Sequence, residues 1–195
     1  MTDSLWNQTL ADFRDALGAD RPTPSCGAAS AVSASLGMAL VGMAVRITLA
    51  DATEADRLPL QDLLSRCDTL TESLGQQADA DVRAFDAYLA SDKEHPEGPA
   101  PEALRQALAV PLASARLCHQ GLEAARAALP LCKPGLRSDV VAGAGLLHAA
   151  LGAVLLNLDA NLDARTAAEE RAALEQARDT LQADADALLQ AIRAG

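Results

Sequence analysis

Aromatic side chains are almost missing from this chain: one Trp, one Tyr and two Phe in 195 residues. Strand-forming residues of that kind are therefore scarce, while 44 Ala and 32 Leu favour helix. Half of the residues are hydrophobic, enough for a sizeable core, and small side chains let helices pack closely. Lysine is nearly absent too, at Lys93 and Lys133, and the net charge is −11 with a pI of about 4.6. That balance excludes a basic nucleic-acid face and an anionic membrane surface as partners. Cys26, Cys67, Cys118 and Cys132 form no CxxC pair, so reduced thiols are expected, neither a disulfide framework nor a zinc site. His95, His119 and His148 are equally scattered, and no metal site is expected. The opening "MTDSLWNQ" is polar without a basic start, so no secretory leader and a cytoplasmic location are expected.

The chain reads as a single domain over 1–195, all-α, an antiparallel bundle of about six helices with small-residue inner helices. Trp6, Leu10, Phe13 and Leu17 recur at helical spacing and predict helix one over about Asp3–Leu17, stopped by Gly18. Helix two, about Ala28–Ala50, carries Val32, Leu36, Leu40, Met43 and Ile47 on one stripe. Helix three, about Pro59–Ala90, takes proline in its first turn and an apolar face through Leu60, Leu63, Cys67, Leu70, Leu74, Ala78, Phe85 and Leu89. Helix four, about Glu102–Leu129, contains Pro111, an expected kink. Ser138 is the expected N-cap of an inward-facing helix five, with Asp139 in its first turn. Asn157 and Asn161 then follow one turn apart. Thr166 and Glu169 form a capping-box pattern for helix six. Ala28–Ala50 and Val140–Leu158 approach membrane-spanning length, but their Ala, Gly and Ser content reads as inner helices of a bundle.

The stretch "RPTPSCGAASA", Arg21–Ala31, stands out. Pro22 and Pro24 hold the chain extended, and Gly27 permits backbone geometry closed to other residues. Together they aim the first N–H groups of helix two at a cleft, where a helix start attracts anions. The plainer reading is a turn joining two helices.

Helix one, Pro-Thr-Pro, a glycine-type loop and an Ala-rich helix resemble the cyclodeaminase/cyclohydrolase family. This family comprises the C-terminal domain of formiminotransferase-cyclodeaminase and stand-alone methenyltetrahydrofolate cyclohydrolases. The likeness continues in order at "DADVRAFDAYLASDK", "AVPL" (Ala109–Leu112), "SDVVAGAGLL" (Ser138–Leu147) and "NLDANL" (Asn157–Leu162). There are departures. Ser25 and Cys26 stand where the family has two glycines, Ala28 where it has serine, and Asp159 between the late asparagines. The asparagines usual before Ser-Asp are missing from "CKPGLRSD". The resulting cradle is larger and less flexible, which implies a shifted substrate preference or weakened activity.

The resemblance implies interconversion of 5,10-methenyltetrahydrofolate and 10-formyltetrahydrofolate. A carboxylate beside the cationic amidinium carbon would stabilise it and take a proton from water. By the same resemblance, Asp139 and Asp86 are the candidate acid/base residues. Lys93 is a candidate for the glutamate tail, and Asn157 and Asn161 for the pterin edge. Pro24, Ser25, Gly27, Arg46 and Ser138 complete the candidate substrate contacts. No cofactor beyond the tetrahydrofolate substrate is implied, and a homodimer is. Formiminotetrahydrofolate cyclodeaminase, or a non-catalytic folate-binding or scaffolding protein, are the alternatives.

Overall fold

The computed structural model describes residues 4–95, 97–162 and 166–195. Six α-helices account for most of them, with no strand among the described residues. They are α1 (Leu10–Leu17), α2 (Cys26–Ala50), α3 (Glu54–Glu94), α4 (Pro101–Ala128), α5 (Arg137–Asn161) and α6 (Ala168–Ala194). Short connections make successive helices from α2 onward antiparallel. The starts of α2, α4 and α6 therefore share one end of the bundle with the ends of α3 and α5.

Helix starts differ from expectation where side-chain chemistry decides them. The expected helix one is split into a 3₁₀ turn at Leu5–Asn7 and α1. Thr9 starts α1 through a capping box: its hydroxyl accepts from Asp12 N–H at 3.1 Å, and Asp12 reaches back to Thr9 N–H. Trp6 thus leaves the α1 stripe. Its indole lies on Gly75 of α3 and donates to the Gly75 carbonyl at 2.9 Å. Helix α3 begins at Glu54, so Pro59 sits inside it on an exposed face, not in the first turn. Helix α4 continues through buried Pro111. Ser138 does not cap α5, because a 3₁₀ turn at Pro134–Leu136 runs straight into Arg137 and leaves Leu136 as the cap. The Thr166–Glu169 box does not form either. Ala167 is the cap of α6, and the Thr166 hydroxyl is buried without a partner among the described residues.

The core lies between α2, α3, α4 and α5, with α6 across α4 and α5. Met38, Val41, Leu74, Leu122, Leu147, Leu151 and Leu158 are fully enclosed. Burying each such side chain contributes about 1.5–3 kcal/mol. Helices α2 and α5 come unusually close. A methyl group on Gly143 would lie 2.5 Å from the Gly37 carbonyl oxygen, and one on Gly37 2.8 Å from that of Gly143.

The stripe Leu36–Leu40–Met43–Ile47 does not face this core. Met38, Val41 and Val45 fill it, and Leu36 and Ile47 are 49% and 43% exposed. Helix α5 shows Leu146 and Leu156 to the outside, so it too is not inward on every face. By length and composition α2 and Pro134–Asn161 are both apolar enough to cross a membrane. Two-thirds of the α2 window (67%) is nevertheless inside the bundle.

Candidate active site

The backbone N–H groups at the start of α2 need partners, and Ser25 supplies no side-chain cap. A carboxylate from another helix takes that place. Asp81 of α3 is only 5% exposed, and it accepts a hydrogen bond from the Ala28 N–H. Asn157 of α5 donates its amide to Asp81 Oδ1 at 3.1 Å. Oδ2 of the same carboxylate is buried with no hydrogen-bond partner among the described residues. Three helices thus meet at one acid, with half of its accepting capacity free.

Gly27 makes room for this. A Cβ there would fall 1.9 Å from Asp81 Oδ1 and 2.7 Å from Asn157 Nδ2. The requirement is space, since no positive φ occurs at Gly27. Burial pushes the Asp81 carboxyl up to about 6, against the Ala28 and Asn157 hydrogen bonds that favour the charged form. The group therefore changes charge close to neutral pH, the range in which a carboxyl both takes and returns a proton. The neighbouring Cys26 thiol is raised by desolvation and then by the Asp81 charge, so it is not held as a thiolate.

The structure divides the residues singled out from the sequence into two groups. Pro24, Ser25, Gly27, Asp86, Lys93, Asn157 and Asn161 lie at the end of the bundle that holds Asp81. Asp86 is five residues beyond Asp81, about 140° around the helix, and it accepts the Thr23 hydroxyl at 2.8 Å. It anchors the proline loop to α3. Pro24 lines a small cavity of about 170 Å³ with Thr23 and Asp86. Asn161 donates to the Ala107 carbonyl of α4 at 2.8 Å, so its amide ties α5 to α4. Lys93 is exposed in the last turn of α3.

Arg46, Ser138 and Asp139 belong to the opposite end. Arg46 pairs with Asp68 at 2.7 Å. Nearby, the Lys133 N–H donates to the Thr48 hydroxyl at 3.1 Å and its ammonium pairs with Asp51. Eighteen residues of α5 separate Asp139 from Asn157, about 27 Å of helix. One chain does not bring Asp139 to Asp81.

Asp81 is not among the candidates that the sequence singles out. Its signal was present: it continues the buried register Leu70–Leu74–Ala78, so a charged side chain occupies a core position. Among the described residues no group of three or more His, Cys, Asp or Glu is placed to hold a metal. All four cysteines are free, and burial pushes Cys67 to about 11 and Cys118 to about 12.

Residues 9–181 match the family model described as formiminotransferase-cyclodeaminase. The chain belongs to that family. Among its relatives in the family, a methenyltetrahydrofolate cyclohydrolase of Methylorubrum extorquens is 33% identical over 181 residues, covering 85% of this chain and 86% of that protein. A formimidoyltransferase-cyclodeaminase of Sus scrofa is 31% identical over 176 residues. The match covers 82% of this chain but only 31% of the pig protein. A crystal structure of formiminotetrahydrofolate cyclodeaminase from Thermotoga maritima superposes with a TM-score of 0.91 over 98% of this chain and 96% of that one. Identity there is 20%, so this likeness establishes the shared cyclodeaminase fold.

Proposed function

We propose that this family member is a methenyltetrahydrofolate cyclohydrolase and that Asp81 is its acid/base residue. The observation that carries the reading is the buried Asp81 carboxylate, held on Oδ1 by Asn157, favoured in its charged form by the Ala28 N–H, and with Oδ2 without a partner among the described residues. An amidinium carbon brought to Oδ2 gains a counter-charge where water is scarce. Ionised Asp81 takes a proton from the attacking water as the new C–O bond forms. The protonated carboxyl then returns that proton to ring nitrogen N5. The C–N5 bond breaks, the formyl group stays on N10, and one proton is released overall. Because the reacting carbon is already cationic, the folate substrate itself supplies the electrophile.

Around this centre, Pro24, Ser25 and Gly27 shape the floor of the substrate site, Asn161 braces it, and Lys93 offers a cation to the substrate's glutamate tail. A homodimer in the cytoplasm completes the proposal. Helices α2 and α5 carry few charges on any side, and helices of that kind are ordinarily covered all round. Leu36, Ile47, Leu146 and Leu156 are nevertheless 40–70% exposed, and Gly37 and Leu146 adjoin across the two helices. A second copy on this face would cover them. Arg46, Ser138 and Asp139 join a site only if the helices of the two copies run in opposite senses.

Loss of methenyltetrahydrofolate absorbance, corrected for spontaneous hydrolysis at each pH, tests the activity. The protein should accelerate it, and Asp81→Asn should lower turnover ~100- to 10,000-fold, the usual worth of general acid–base catalysis. Faster ammonia release from formiminotetrahydrofolate would establish the cyclodeaminase reading, which the names of the pig and Thermotoga proteins favour. Folate binding without turnover would leave the scaffolding role.

A further inference from the structure

Asn157 was expected at the pterin edge, yet its amide already has a partner inside the protein. Nδ2 donates to Asp81 Oδ1 at 3.1 Å, and the Ala28 N–H donates to the same carboxylate. Gly27 leaves the space that lets these groups meet. We propose that Asn157 is a positioning residue: it holds one oxygen of Asp81, leaves the other without a partner among the described residues, and thereby sets the pH at which that carboxyl works. The proposal rests on the cyclohydrolase reading above and adds what tunes its acid/base group.

The surroundings of Asp81 leave this task to Asn157. From α2 the titratable neighbour is Cys26, whose thiol is held in its neutral form. On α5, Asp159 lies two residues beyond Asn157 and is paired with Arg178 of α6 at 2.7 Å. At the α4 start, Glu102 and Arg105 pair with each other. On α3 itself, Asp79 accepts the Leu5 N–H at 2.8 Å, Asp86 accepts Thr23, and Arg83 projects about 200° around the helix from Asp81. No basic side chain among the described residues is hydrogen-bonded to Asp81 or within ion-pair distance of it. Neutral donors therefore carry the stabilisation of its charge, and Asn157 is the side-chain donor.

Carbon-13 NMR titration of the Asp81 carboxyl, run beside the pH profile of kcat/KM, tests this in wild type, Asn157→Leu and Asn157→Asp. Loss of a hydrogen bond to a charged group should raise the Asp81 midpoint in Asn157→Leu by about one to two pH units. Asn157→Asp should raise it further, because a like charge replaces a donor. The acid limb of kcat/KM should move with the midpoint, while KM on the alkaline plateau stays within about twofold. An unmoved NMR midpoint overturns the proposal, as does a raised KM with an unmoved acid limb, which would assign Asn157 to substrate. A midpoint that moves while the acid limb does not refutes the catalytic role of Asp81 and leaves the hydrogen bond intact as structure. Circular dichroism verifies folding, and the Asp variant carries the comparison if the Leu variant does not fold.

Discussion

Asp81→Asn should gain stability relative to the wild type as pH rises, while disabling the protein. The folded-state carboxyl titrates at about 6 against an ordinary value of 3.8. Because the folded value is the higher one, the folded state binds the proton more tightly than the unfolded chain. Stability from this group is complete below the ordinary value and is lost as pH rises through about 6. The loss above that range is about 3 kcal/mol, from roughly two units at 1.36 kcal/mol each. About half of it, on the order of 1–2 kcal/mol, falls between about pH 5 and about pH 8 by the same linkage. An asparagine keeps the acceptor used by Asn157 and removes the charge. Its amide nitrogen takes the place of the unpartnered Oδ2, at a cost of about 1–3 kcal/mol that does not depend on pH. The absolute difference between variant and wild type therefore has either sign, but its pH dependence has one. Urea denaturation of both proteins at the two pH values cancels the titration of every distant group. The variant should gain about 1–2 kcal/mol on wild type from the lower pH to the higher. A difference that is the same at both would refute a buried, perturbed Asp81 and the acid/base role built on it.

Gly27→Ala places a methyl 1.9 Å from Asp81 Oδ1, so it should cut turnover at least about tenfold by displacing the carboxylate, since small misplacements of reacting groups are costly; steady-state kinetics checks this. Gly143→Ala sets a methyl 2.5 Å from the Gly37 carbonyl, and backbone cannot swing aside as a side chain does, so denaturation should show a loss of about 1–3 kcal/mol. Leu146→Glu puts a charge on the exposed α2–α5 face and should convert a dimer of about twice 20.2 kDa into monomer by light scattering; a wild type already monomeric at micromolar concentration would sink the dimer.

Helix number, order and approximate extent were legible because Leu and Ala recur at helical spacing over long stretches. The α3 face through Leu60, Leu63, Leu70 and Leu74 is buried as its periodicity required. What failed were features set by neighbours. On α2, apolar residues lie on every side, so spacing alone could not choose between the Leu36–Ile47 stripe and the Met38–Val45 stripe. Capping patterns misled in the same way. Thr9 and Asp12 form a box, while Thr166 and Ser138 have equally suitable side chains but the caps fall one residue after Thr166 and two residues before Ser138. Gly27 and Asn157, both expected from the sequence to contact substrate, lie against Asp81, which became visible only when three helices brought its partners together. Asp139 occupies the other end of α5, and sequence order within one helix does not tell which end a cleft occupies.

The glycine crossing of α2 and α5 fixes more than a packing distance. Gly37 is ten residues from Gly27, and Gly143 is fourteen from Asn157, about 15 Å and 21 Å along their helices. Since each glycine rests against the other's carbonyl, neither helix can slide past the other without lifting apart. A slip of a single residue would carry the Asn157 amide about 1.5 Å along the axis, enough to break a 3.1 Å hydrogen bond to Asp81. The crossing works as an alignment pin for groups it never touches, so the accuracy of the acid's placement is set at the middle of the bundle as well as at its end.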